Sequence, residues 1–92
     1  MSKRKILVLA RRNHAEAMRV ASGLTIFDHH VRLVFMTEPV AETPENLEQA
    51  ELLEMSGIEP ETTVDAMADE LKLLNAEDLA LAMTDTDFSI NL

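Results

Sequence analysis

Apolar and polar positions along this chain follow two rhythms: short unbroken apolar runs, and longer stretches spaced by three and four. Lys5-Ile6-Leu7-Val8-Leu9-Ala10 is an unbroken run. A segment apolar on both faces reads as a strand covered on both sides, as in parallel sheets, so this one is expected to be the central strand. Asn13, with Glu16 three residues on, has the spacing of a capping box, in which side chains satisfy the free amides of a helix start. Beyond it Ala17, Val20, Ala21, Leu24 and Phe27 form one stripe at helical spacing. Gly23 within that stretch either weakens the helix or permits close packing. Val31-Arg32-Leu33-Val34-Phe35-Met36 is rich in β-branched and aromatic residues and predicts a second strand. A helix of about four turns between two strands makes them parallel, with a right-handed crossover.

Residues 37–42, with Pro39, read as a loop. Thr43, Pro44 and Glu45 then supply a cap, a proline at the first helical position and an acid in the first turn. This second helix is expected to run to about Ser56. Leu47, Ala50 and Leu53, flanked by Leu52 and Met55, would be its buried side, and Gly57 before Ile58 resembles a C-terminal cap. Residues 62–74 fit either a helix or a strand, turn and strand. The second reading places a short third strand at 62–65, one turn near Met67 and a fourth strand at 72–74. Asn75 caps a last helix with Glu77 and Asp78 in its first turn and Leu79, Ala82 and Met83 on one side, ending near Thr84. Phe88-Ser89-Ile90-Asn91-Leu92 alternates like a half-buried edge strand. Alternation of strands and helices over 92 residues predicts a single α/β domain, 1–92, with a small core.

Charge changes this picture in one respect. The formal balance is 8 basic to 17 acidic residues, or −9, which argues against nucleic-acid or anionic-membrane partners. It is uneven: seven basic residues face two acidic ones up to Met36, and after that Lys72 alone faces fifteen carboxylates. The absence of cysteine excludes disulfides, thiol nucleophiles, a persulfide carrier and cysteine-bound zinc in this chain. Short apolar runs and a charged start without a signal-peptide core predict a soluble cytoplasmic protein.

Ligands of open α/β sheets bind beyond the carboxyl ends of the strands. The loop there carries Arg11, Arg12, Asn13 and His14: two fixed charges, a helix start with free amides and an imidazole, a set suited to an anion or carboxylate. No glycine-rich phosphate loop accompanies them. The competing reading pairs Arg11 and Arg12 with Glu38 and Glu42 or with another subunit, and leaves His14 exposed. Asp28-His29-His30 is too compact to converge on one metal ion, and no other histidine cluster exists. Ser22 and Ser56 sit in no nucleophile motif, and Asp85 and Asp87 read as a helix end and a strand start. No cofactor and no catalytic residue is expected. Six methionines against three phenylalanines describe a pliable aliphatic core or interface.

The opening Lys5-Ile6-Leu7-Val8-Leu9, the helix through Ala17, Ala21 and Leu24, and His30-Val31-Arg32-Leu33-Val34-Phe35-Met36 resemble the DsrE/DsrF-like family of small sulfur-relay proteins. The ending, residues 71–80 and then Asp85-Thr86-Asp87-Phe88-Ser89-Ile90, resembles that family's last strand, helix and strand. The resemblance implies a three-layer α/β/α domain with a mainly parallel sheet of five strands, assembled into homo- or hetero-oligomers with related subunits. Sulfur-carrying members use a cysteine after the third strand, where this chain reads Val64-Asp65-Ala66-Met67. The expectation is a cysteine-free, non-catalytic interaction subunit, possible neighbours being sulfur relay or redox proteins; the alternative is a small-ligand module built on the loop after strand one.

Overall fold

The computed structural model describes residues 3–92. Lys5–Ala10 (β1), His30–Phe35 (β2), Glu61–Thr62 (β3), Lys72–Leu73 (β4) and Phe88–Asn91 (β5) form one sheet in the order β4-β3-β2-β1-β5, every neighbouring pair parallel. The helices are His14–Ile26 (α1), Pro44–Met55 (α2) and Ala76–Thr84 (α3), with a single 3-10 turn at Asp65–Met67. Side chains alternate across the sheet. Ile6, Val8, Ala10, Leu33 and Phe35 pack under Ala17, Met18 and Ala21 of α1 and Leu53 of α2; Leu7, Leu9 and Val34 pack with Leu74 and with Ala82 of α3. Helices on both faces of a parallel sheet make the expected three layers.

β1 is buried throughout from Ile6 to Ala10, as its unbroken apolar run requires. It lies between β2 and β5, however, and β2 holds the middle of the sheet. Residues 62–74 take the strand, turn, strand form, with strands of only two residues each. β3 therefore pairs with just Val34 and Phe35 at the end of β2. The buried Thr62 hydroxyl ties this junction, donating to the Phe35 carbonyl (2.9 Å) and accepting from the Val64 amide (3.0 Å).

The helix starts follow their side chains. Asn13, Thr43 and Asn75 each accept an amide hydrogen three residues on, and Asn75 with Asp78 makes a complete reciprocal box. Gly57, at φ +80°, closes α2 in the left-handed conformation that glycine adopts without cost. The inward side of α2 is narrower than its spacing suggests. Only Leu53 is buried, while Leu47, Leu52 and Met55 are exposed, because α2 lies near one side of the sheet and presents one edge to α1.

Candidate functional site

The loop joining β1 to α1 lies at the carboxyl end of the sheet, where a parallel α/β domain places ligands. Two of its backbone donors are already engaged. The Leu92 carbonyl accepts from the amides of Arg12 (3.0 Å) and Asn13 (3.1 Å), and the Leu92 amide donates to the Leu9 carbonyl. This one residue takes up the two amides that lead into α1.

The four side chains diverge. Arg11 donates through Nε to Asn91 Oδ1 (2.9 Å) on β5. Asn13 is spent on the cap, accepting from the Glu16 amide (3.1 Å). His14 is buried, only 7% exposed, and packs edge-on against Phe35 with ring centroids 5.3 Å apart. Its Nε2 lies 3.4 Å from the Met36 carbonyl oxygen. Arg12 is exposed and forms no ion pair or side-chain hydrogen bond among the described residues. Neither arginine pairs with Glu38 or Glu42, and His14 is not the exposed first-turn residue of the competing reading.

Beside His14 the chain is strained. Thr37 has φ +78°, and the Glu38 amide closes onto the Met36 carbonyl (2.9 Å), the pattern of the rarer γ-turn. For a β-branched residue this conformation is an outlier.

The remaining candidates have structural roles. Asp28 takes a left-handed turn and pairs with Lys3, and His29 Nδ1 accepts from the Arg4 amide (3.1 Å). No group of three metal-ligating residues converges among the described residues. Asp85 ends α3, and Asp87 Oδ2 accepts from the Lys5 amide (2.8 Å), aligning β5 with β1. The Ser56 hydroxyl donates to the Leu52 carbonyl.

A concavity that the sequence reading missed lies on the other side of the sheet's middle strand. A groove of about 960 Å³ opens between α2 and the 3-10 turn, with Met18, Phe35, Leu53 and Met67 among its apolar walls. At its mouth Arg32 donates to both Glu61 carboxylate oxygens, at 3.0 and 2.9 Å. The hydrogen bonds to Glu61 raise the Arg32 pKa above its ordinary value, opposed by burial, so the guanidinium stays charged. The available signal was the length of residues 63–71, too short for a covering helix. Met67, the last residue of the 3-10 turn, walls this groove.

Comparison of the chain with protein-family models, curated proteins and solved structures finds no match.

Proposed function

We propose that this protein is a non-catalytic, DsrE-like interaction subunit of the cytoplasm that works as an oligomer, in the first instance with copies of itself. One observation carries the reading: a collar of exposed apolar side chains at the amino end of the sheet. Helices of a parallel α/β domain run against the strands, so their carboxyl ends share one end of the molecule with the strand starts. Ile26 (81% exposed) and Phe27 (67%) close α1, Met55 (83%) closes α2, and Phe88 (49%) opens β5. Concentrated exposed apolar surface of this kind marks association sites.

Two ion pairs flank the collar. Lys3 pairs with Asp28 (3.5 Å) and Lys5 with Asp85 (3.6 Å). Such exposed pairs add little stability. They do neutralise Asp28 beside Phe27 and Asp85 ahead of Phe88, which eases repulsion between two copies of a molecule of net charge −9. A pairing of like collars would be isologous and closed. Without cysteine this chain carries no persulfide, so in a sulfur-relay or redox assembly its contribution would be structural. The small-ligand reading at Arg11, Arg12, Asn13 and His14 has weaker support, since Leu92 holds the amides and only Arg12 is free to reach a ligand.

Light scattering at micromolar concentration tests the proposal. The expected result is a dimer or larger species, converted to monomer by Phe27→Asp with unchanged circular dichroism. A monodisperse wild-type monomer overturns it.

A further inference from the structure

The β3-to-β4 connection supplies one 3-10 turn where a longer crossover would lay a helix, and the groove beside α2 stays open for that reason. Its volume of about 960 Å³ falls in the range of small-molecule sites. The floor is apolar, and the rim is acidic from three separate segments: Glu54 on α2, Glu59 before β3 and Glu70 after the turn. None of these three carboxylates forms an ion pair among the described residues. Of the two cations on the lining, Arg32 is engaged by its two hydrogen bonds to Glu61, which leaves Lys72 alone.

We propose that this groove binds an organic cation, a molecule whose aliphatic or aromatic body rests on the partly exposed Val40, Ile58, Met67 and Leu71 while its protonated amine meets the rim carboxylates. The two parts of the site contribute differently. Burial of the apolar body supplies affinity. The rim glutamates are solvated and screened by salt, so they select the sign of the ligand's charge more than they tighten its binding. Nucleotides and other anions meet like charge at the mouth. The site is separate from the collar and does not depend on self-association.

Two dyes of opposite charge provide the test: dansylcadaverine, an aromatic fluorophore on a primary alkylamine, and dansylglycine, its carboxylate counterpart. Dansylcadaverine should bind saturably with blue-shifted emission, and dansylglycine about tenfold more weakly or worse at low salt. Glu54→Gln combined with Glu70→Gln, both at exposed positions, should bring the two dyes to within about threefold of each other. Met67→Trp, which fills the groove, should remove binding of both while circular dichroism is unchanged; if that variant misfolds, the double glutamine variant decides. Equal binding of the two dyes by the wild type, or a charge preference that survives the glutamine pair, overturns the proposal. Phe27→Asp should bind dansylcadaverine like the wild type, and loss of binding there would assign the dye to the collar and overturn it too.

Discussion

Thr37 is the residue where local preference and observed conformation conflict most. A β-branched side chain at φ +78° costs of order 1–3 kcal/mol, sustained here because Met36 and Glu38 are fixed by β2 and its turn. Thr37→Gly removes that strain and adds back about 0.5–1 kcal/mol of unfolded-chain entropy. The expected net gain is about 1 kcal/mol, a rise in Tm of about 4–8 °C in a domain of this size, measurable by calorimetry. No change or a fall would mean that the turn is already relaxed. Sequence gave no hint of this, because nothing in Met36-Thr37-Glu38-Pro39 marks a left-handed residue. His14 was equally opaque. Its chemistry is legible in the sequence, but its place against Phe35 follows from a packing that joins positions 21 residues apart. Glu16 departs from its capping-box reading: the Asn13 amide donates to Leu92 instead, and the hydrogen bond from Arg19, one turn on, holds the Glu16 carboxyl below the ordinary 4.5. Because that pKa is lowered, whatever the pair adds to stability is present at neutral pH and is lost as pH falls through the folded value.

At the scale of elements, the starts were readable and the faces less so. Asn13, Thr43 and Asn75 mark their helices because a cap is a local event, settled within four residues. Which side of a helix is covered depends on neighbours. The spacing of Leu47, Leu52, Leu53 and Met55 describes an apolar stripe equally well whether a sheet, a groove or solvent lies beside it, and here only Leu53 finds the core. Of the two readings of Gly23, close packing is set aside: a Cβ built there meets nothing within 4 Å, and its φ is not in the left-handed range. Gly23→Ala should therefore stabilise α1 by about 0.5–1 kcal/mol, read from the urea midpoint at constant slope. A destabilised variant would show that α1 is packed more tightly at this turn than its surroundings indicate.

For the molecule as a whole, charge sets the terms of association. Fifteen of seventeen carboxylates follow Thr37, yet the sheet interleaves the two halves of the chain, so Arg32 meets Glu61 and Lys5 meets Asp85 within one domain. The basic head and acidic remainder are a feature of sequence order more than of the surface. What is left over is a general negative field, with two ion pairs beside the collar. Added salt screens the field and barely affects apolar contact, so raising ionic strength from low to physiological should tighten self-association by about threefold or more, followed by sedimentation equilibrium. Weakening by salt would indicate that ion pairs, not apolar side chains, hold the copies together. The α/β class and the parallel β1–β2 pair were legible from rhythm alone. The groove was not, since it is created by a helix that residues 63–71 are too few to form.

The contact of Leu92 with Arg12 and Asn13 carries a further consequence, for the order in which the molecule is made. During synthesis β1 and α1 emerge well before the strand that lies along β1 and the carbonyl that meets the amides preceding α1. Until then β1 has one free edge and the amides of Arg12 and Asn13, just ahead of α1, lack their acceptor, so the nascent chain stays open along its most apolar strand. Folding of this domain is therefore a closing event rather than a progressive one, with residues 88–92 as the clasp.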